Sequence, residues 1–177
     1  MKRFSLLLGL LLAACAPVES SPGTEPLPDG DTFFPVATSF KGFRTWEAFE
    51  MPPGENGTIH TAGARTTYIN HLPKAGSTSF PVGTIIVKES ESDPFADRQV
   101  FGRVKRGGGY NAQGANGWEW FELKNVDQMV STIIWRGVGP PVGEKYGGDP
   151  NGGCNGCHGA ATSNDFVLSD PLLLKNL

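Results

Sequence analysis

Cysteine, histidine and methionine are scarce in this chain, with three of each among its 177 residues. A structural zinc site takes about four ligands, yet outside the group Cys154, Cys157 and His158 only His60 and His71 remain as nitrogen donors. There is no second cysteine pair, and no βαβ pattern surrounds Cys154, as a thioredoxin-like dithiol would require. The scarcity therefore argues against structural zinc and against dithiol redox chemistry.

A large excess of charge of one sign is also absent. The chain has 15 Lys and Arg against 18 Asp and Glu, a net charge of −3, and no block of basic residues. Nucleic-acid-binding proteins usually carry a basic patch or stripe, so we expect no nucleic-acid partner. The 24 glycines and 14 prolines predict many turns and few long helices.

The N-terminus has the pattern of a targeting segment. Lys2 and Arg3 precede an apolar run from Phe4 to Ala14, which is too short to stay in a bilayer as a spanning helix. The run leads into Cys15 through Leu-Ala-Ala, which resembles a bacterial lipoprotein signal whose cysteine is acylated. A plain secretory signal cleaved near Ala14 is the alternative.

These features divide the chain into three predicted parts. Residues 1–14 form a signal peptide, and residues 15–31 hold the lipidated Cys15 and a disordered tether that lacks the apolar residues of a core. Residues 32–177 form one domain that is long enough to bury a core. We expect the protein in the bacterial cell envelope, facing the periplasm and held to a membrane by lipid. Ala16 after Cys15 favours the outer membrane.

Cys154, Cys157 and His158 form a C-x-x-C-H motif, the attachment signature of c-type haem. Residues at i, i+3 and i+4 share one face of a helical turn. Both thiols then reach one edge of the porphyrin, and the imidazole ligates the iron. The motif predicts one covalent haem c, bound through Cys154 and Cys157, with His158 as the metal ligand. Export agrees with this prediction because c-type haem is attached outside the cytoplasm.

The aromatic spacing before the first glycine-rich stretch predicts a helix. Phe40, Phe43, Trp46 and Phe49 recur at every third residue, which indicates a short amphipathic helix that ends at Pro52.

The rest of the domain is predicted to be rich in strands. Segments with β-branched and aromatic residues are Thr58–His60, Thr66–Ile69, Thr84–Lys88, Val100–Val104 and Trp118–Leu123. The last two segments are expected to form a hairpin around a glycine-rich loop. Ile133–Trp135 is either one more strand or the end of a helix, and a short helix should carry the motif cysteines.

The order of these segments resembles the cytochrome P-460 and cytochrome c′-beta family. The matching stretches are Phe43–Trp46, Arg65–Asn70, Phe80–Glu89, Trp118–Glu122, Cys154–His158 and Asp165–Ser169. The resemblance covers the domain from about Phe40. It implies an α+β fold, predominantly an antiparallel β sheet with a few short helices, and one c-type haem bound near the C-terminus. It also implies a homodimer and an iron with an open distal side.

Lys88 is the residue that separates the two branches of this family. Cytochromes P-460 oxidise hydroxylamine and carry a lysine linked covalently to the porphyrin, whereas the c′-beta proteins bind nitric oxide in an apolar pocket. Lys88 lies in the segment that resembles the lysine-bearing strand, which implies a catalytic role. Strand alternation places Thr84, Ile86 and Lys88 on one face, with Ile85 and Val87 on the other. The alternative is a solvated lysine at the end of a strand.

Several further groups are possible neighbours of the iron. Residues able to supply a sixth ligand are Met51, Met129, His60 and His71. Aromatic rings that would form an apolar lid are Phe40, Phe43 and Phe95. Guanidinium groups that would pair with the haem propionates are those of Arg65, Arg103 and Arg136. The carboxylates proposed for acid–base chemistry are Asp165 and Glu122.

Three functions remain open from the sequence. The first is an enzyme that oxidises hydroxylamine or another small nitrogen compound and passes electrons to a redox partner protein. The second is a protein that binds nitric oxide or another diatomic ligand. The third is a periplasmic electron carrier in which methionine or histidine closes the sixth position of the iron.

Overall fold

Six strands form one antiparallel sheet in which each strand pairs with the next one along the chain. The computed structural model describes residues 31–52, 63–91, 94–143 and 153–177. The strands are β1 Glu47–Met51, β2 Arg65–Ile69, β3 Ile85–Ser90, β4 Val100–Lys105, β5 Trp118–Asn125 and β6 Ser131–Gly137. The predicted α+β class, a predominantly antiparallel sheet with a few short helices, is confirmed.

The helices of the described segments are all short. One α-helix, α1, covers Cys154–His158. The 3₁₀ helices are Ala37–Phe40, Phe43–Thr45, Phe95–Asp97, Gly159–Asn164, Asp170–Leu172 and Leu174–Asn176. None of the helices in these segments is both long enough and apolar enough to cross a membrane. The predicted signal peptide, Cys15, the tether up to residue 30 and the Thr58–His60 strand lie outside the described residues.

The amphipathic helix predicted between Phe40 and Phe49 is wrong. Two 3₁₀ helices separated by Gly42 occupy the first part of this segment, and Phe49 lies in β1. Gly42 has a φ of 68°, a left-handed conformation that glycine adopts without steric cost and that ends a helix. A 3₁₀ helix has three residues per turn, so the three-residue aromatic spacing fits this structure better than an α-helix.

The strand predictions that fall on described residues are confirmed. Thr66–Ile69 and Thr84–Lys88 lie largely within β2 and β3, which pair with each other. The predicted hairpin is formed by β4 and β5, and Ile133–Trp135 belongs to β6.

The two faces of the sheet bury different clusters. The pocket face, on which Ile86 and Trp120 lie, packs against the C-terminal segment through Val167, Leu172 and Leu174. The closed face packs against the N-terminal 3₁₀ helices, and its buried members are Phe40, Phe43, Ile85, Val87, Val100, Val104, Phe121 and Leu123. The alternation predicted for β3 is therefore confirmed, because Ile86 lies on one face and Ile85 and Val87 on the other.

A β-bulge in β6 assigns one tryptophan to the pocket face. Leu123 pairs with Ile133 and Glu122 pairs with Trp135, so Ile134 has no partner in the register. An extra residue of this kind reverses the alternation of side chains beyond it. Ile133 consequently packs with the closed-face cluster, while Trp135 joins the pocket-face cluster.

Candidate functional site

A pocket lies between the pocket face of the sheet and the C-terminal segment. It has a cavity volume of about 110 Å³ and opens to solvent on one side. Its sheet wall includes Met51, Arg65, Thr67, Ile86, Lys88, Phe101, Arg103, Trp120 and Trp135. Its other wall consists of Cys154, Cys157, His158, Leu168, Ser169 and Asp170.

Helix α1 brings the motif residues to one side of this pocket. Gly153 is the extended N-cap residue, and a 3₁₀ helix continues directly after His158. Cys154, Cys157 and His158 are spaced so that they share one helical face, and all three line the pocket. The predicted short helix at the motif is confirmed.

Asn155, which lies between the motif cysteines, anchors α1 to the sheet. Its Oδ1 accepts hydrogen bonds from Asn111 Nδ2 at 2.8 Å, Trp120 Nε1 at 2.9 Å and the backbone N–H of Ala115 at 3.2 Å. Its Nδ2 donates to Asn111 Oδ1 at 2.9 Å and to the carbonyl of Val138 at 3.1 Å. One side chain thus fixes α1 against the β4–β5 loop, β5 and the end of β6.

The side chain of Asn155 packs against the glycine-rich loop between β4 and β5. A Cβ atom at Gly114 would overlap the side-chain amide of Asn155. The absence of a side chain at Gly114 therefore allows α1 to approach the loop closely. Apart from the glycine content of the loop, no pattern in the sequence predicts this contact.

The imidazole of His158 points its Nδ1 atom at a backbone carbonyl. Nδ1 lies 2.8 Å from the carbonyl oxygen of Phe166, a contact that requires a proton on Nδ1 because two acceptors would repel at this distance. The neutral form with that proton carries its lone pair on Nε2, the nitrogen that would face a metal. The ring also packs on Trp120 with centroids 4.5 Å apart, which fixes its orientation.

An unusual turn presents the Phe166 carbonyl to His158. Asp165 and Phe166 are both left-handed, with φ of 49° and 64°, a conformation that costs free energy for residues other than glycine. Asp165 stabilises the turn because its carboxylate accepts from Lys105 Nζ at 2.6 Å and from the backbone N–H of Phe80 at 2.9 Å. Asp165 is thus a structural anchor outside the pocket lining, not an acid–base group within it.

Lys88 lies on the sheet wall of the same pocket as the motif. Burial, together with the positive charges of Arg65 and Arg103, lowers the pKa of Lys88 from 10.5 to about 8. No hydrogen bond or ion pair joins its amine to another residue in the described segments. The amine therefore exchanges its proton near neutral pH, as a base or nucleophile must.

The pocket lining is positively charged. In the part of the chain that the structure describes, Arg65, Lys88 and Arg103 contribute three cationic side chains, against one carboxylate from Asp170. Arg103 is 7% exposed, and its burial lowers its pKa to about 10 although Asp165 acts in the opposite direction. A wall of this charge suits a ligand with carboxylate groups.

The other residues predicted around the iron are distributed unevenly. Met51 lines the pocket, whereas Met129 contacts Gly42 near the 3₁₀ helices and His71 approaches Thr84 at 3.3 Å. His60 lies outside the described residues. Phe40 and Phe43 pack on the closed face and Phe95 lies against Arg44, so the predicted lid is wrong.

The remaining predictions concerned an arginine and a carboxylate. Arg136 binds Glu119 on the closed face and does not line the pocket. Glu122 accepts a 2.7 Å hydrogen bond from Trp135 Nε1 and is not part of the pocket lining. The carboxylate that does line it, Asp170, was missed, as were Trp120 and Trp135. The alternation of side chains on β5 could have placed Trp120 on the same face as Trp118. No pattern in the sequence marks the bulge that turns Trp135 toward the pocket or the C-terminal turns that carry Asp170.

Comparison of the chain with protein-family models, curated proteins and solved structures found no match. The donor chemistry of the pocket can still be tested against the group that the motif implies. Two thiols and an imidazole with its lone pair on Nε2 lie on one wall, and cationic side chains lie on the other. These residues fit a c-type haem.

Proposed function

We propose that this chain is an exported monohaem c-type cytochrome with an open distal side, resembling cytochrome P-460. Cys154 and Cys157 would form the thioether bonds, and His158 would ligate the iron. The observation that carries the proposal is one pocket that joins the C-x-x-C-H motif on one wall to Lys88 on the other.

The proposed reaction is the oxidation of hydroxylamine or a related small nitrogen compound. Haem c, when bound, would supply a redox-active iron for the nitrogen atom and for the electrons that leave it. As long as Nζ is not bonded to the porphyrin, Lys88 would take up or release a proton there, supported by the pKa of about 8 of the free amine. Asp170 would offer a carboxylate in the same pocket, and Ile86, Trp120 and Trp135 would limit the access of water.

The spectrum and turnover of the purified protein test this proposal. We expect covalent haem by mass spectrometry, a high-spin ferric spectrum and hydroxylamine oxidation with an added electron acceptor. Peptide mass spectrometry should also find a haem adduct at Lys88, which the resemblance implies. Haem-containing protein without turnover and without the adduct would contradict the enzymatic role.

A nitric-oxide-binding protein is the second candidate, and the apolar part of the pocket favours it. Ile86, Phe101, Trp120, Trp135 and Leu168 give a lining suited to a neutral diatomic ligand. Tight binding of nitric oxide by ferrous protein, with no hydroxylamine turnover, would select this function.

An electron carrier is the third candidate because Met51 lines the same pocket. A methionine ligand would close the sixth position and raise the reduction potential. A low-spin spectrum that does not respond to added ligands, and that becomes high-spin in Met51→Ala, would select this function.

We also propose a location and partners from the sequence. Lipid attached at Cys15 would hold the protein in the cell envelope, facing the periplasm at the outer membrane, where a redox partner protein would exchange electrons with it. The resemblance implies a homodimer. Metabolic labelling with a fatty acid in Cys15→Ser, and sedimentation of the soluble domain, test the anchor and the dimer separately.

A further inference from the structure

We propose that Arg103 is a positioning residue that controls how strongly His158 donates electrons to a bound iron. The inference rests on the proposed haem attachment and adds a residue that the motif does not contain. It starts from a single backbone carbonyl, that of Phe166, which two donors share.

The two donors converge on this oxygen from different elements. His158 Nδ1 approaches the Phe166 carbonyl at 2.8 Å from α1, and Arg103 Nη1 approaches it at 3.1 Å from β4. The two nitrogen atoms are themselves 3.1 Å apart. Since Nδ1 must carry a proton toward the carbonyl, Arg103 cannot donate to it, so its guanidinium lies beside the imidazole as a neighbouring cation.

Packing holds the Arg103 side chain at the Phe166 carbonyl. Its side chain is buried, and Cζ lies 5.6 Å from the centroid of the Trp118 ring. The carbonyl it meets belongs to the left-handed turn that Asp165 and Lys105 hold in place. Both partners of the shared hydrogen bond are therefore fixed before any ligand enters the pocket.

Two effects of Arg103 on His158 have the same sign. A carbonyl that already accepts from a cation is a poorer acceptor for Nδ1–H, so the imidazole retains less imidazolate character and donates less to a metal on Nε2. The adjacent positive charge also opposes the more positive, oxidised state of the metal. Both effects raise the reduction potential, which is set by ligand basicity and nearby charge.

Arg65 supplies a matched control. It is also a buried arginine, 2% exposed, and it lines the same pocket, but it lies on β2, whereas the arginine that donates to the Phe166 carbonyl lies on β4. Removal of either arginine deletes one buried cation near the pocket. Only removal of Arg103 should change the hydrogen bond of the axial imidazole.

The experiment compares Arg103→Met, Arg103→Lys and Arg65→Met in the full-length haem-loaded protein. Covalent haem is first measured by mass spectrometry, and folding by far-UV circular dichroism. The iron–histidine stretching frequency of the ferrous form is then read by resonance Raman, and the reduction potential by redox titration. A six-coordinate ferrous form is read instead through the NMR shift of the His158 Nδ1 proton.

We expect Arg103→Met to raise the iron–histidine frequency and to shift the redox equilibrium about tenfold toward the oxidised form, about 59 mV for one electron. Arg103→Lys should show a smaller change in both quantities, and it is the variant to read if Arg103→Met does not fold. Arg65→Met should lower the potential while the iron–histidine frequency stays at the wild-type value.

An unchanged iron–histidine signal in folded, haem-loaded Arg103 variants would overturn the inference. An equal change of the iron–histidine frequency in the Arg65 and Arg103 variants would overturn it as well, because the effect would then come from the loss of a positive charge near the pocket and not from the hydrogen bond. Wild-type protein without covalent haem would instead overturn the proposed function on which the inference depends.

Discussion

The two faces of the sheet treat buried charge differently. On the closed face, Glu89 accepts two hydrogen bonds from Arg44 and lies 3.8 Å from Arg98. At the other end of that face, Glu119 binds both Arg106 and Arg136. On the pocket face, three cationic side chains line a pocket to which, among the described residues, Asp170 alone contributes a carboxylate.

The difference shows which charges serve the fold and which suit a ligand. A buried ion is costly unless a partner of opposite charge and hydrogen bonds compensate it. The closed face meets this condition with its own carboxylates. The pocket face presents cationic side chains to its cavity, and these would interact favourably with a bound group that carries negative charges, as a haem with two propionates does.

The largest expected effect concerns the pocket face. The double variant Cys154→Ser, Cys157→Ser should lose all covalent haem, because serine cannot form the thioether bonds. Its fold should persist, since both cysteines are only partly buried. The measurement is mass spectrometry of the exported protein together with circular dichroism, and Cys15→Ser is the control that should retain haem. Covalent haem in the double variant would contradict the assignment.

The next effect tests the closed face. Glu89→Gln should lower the free energy of unfolding by about 3 kcal/mol, because the buried side chain at this position would no longer compensate the charge of Arg44, whose side chain is 13% exposed. Urea denaturation of the variant measures this change. The control is Glu91→Gln, two residues further along the chain, where the side chain is exposed. It should change the free energy of unfolding by less than about 0.5 kcal/mol. Equal effects of the two changes would remove the contrast between the faces.

Lys88→Met should raise the free energy of unfolding, in contrast to Glu89→Gln. The measurement is made on the haem-free protein. The pKa of Lys88 is about 8 in the folded chain against an ordinary value of 10.5, so below pH 8 the folded state holds an unfavourable charge. The variant should be more stable at pH 7 by about 2 kcal/mol, after allowance for partial solvent screening.

The pH dependence of this difference follows from proton binding. Between pH 8 and 10.5 the unfolded chain keeps the Lys88 proton and the folded chain releases it, so the stability of the wild type rises with pH. The difference in the free energy of unfolding between Lys88→Met and the wild type should therefore vanish above pH 10.5. Lys41→Met, at an exposed position, is the control. A difference that stays constant with pH would contradict the buried placement of the amine.

The smallest effect concerns the attachment of α1. Asn155→Ala should lower the free energy of unfolding by about 1 to 2 kcal/mol, because it leaves Trp120 Nε1 and the Asn111 amide without their shared partner. The yield of covalent haem should fall with it. Asn176→Ala, at an exposed position near the C-terminus, should alter neither quantity. An unchanged yield in Asn155→Ala would show that α1 needs no anchor.

The strands and their faces were predictable because they depend on local pattern. β-branched residues at a period of two placed Ile86 and Lys88 together, and the structure keeps them on one face. The spacing of Cys154, Cys157 and His158 likewise sufficed to place them on one helical face. In these segments the side-chain period itself fixes which residues are neighbours.

The features that were missed depend on backbone conformations that the pattern does not report. The aromatic residues from Phe40 onward recur at every third residue. This spacing was interpreted as an amphipathic α-helix, although a period of three is that of a 3₁₀ helix. Asp165 was expected to serve as an acid or base, yet its left-handed turn directs its carboxylate to Lys105. Asp170 reaches the pocket through the turns that follow, and no periodic signal marks such turns.

The simple strand order has a consequence for the order in which the molecule assembles. Because β1 to β6 follow one another in both sequence and space, each strand can add to a neighbour that has already been synthesised. The segment with Cys154 and Cys157 comes after all six strands. The groups that receive it, including Asn111 and Trp120, can therefore be in place when this later segment arrives, so that α1 closes the pocket against strands that have already formed.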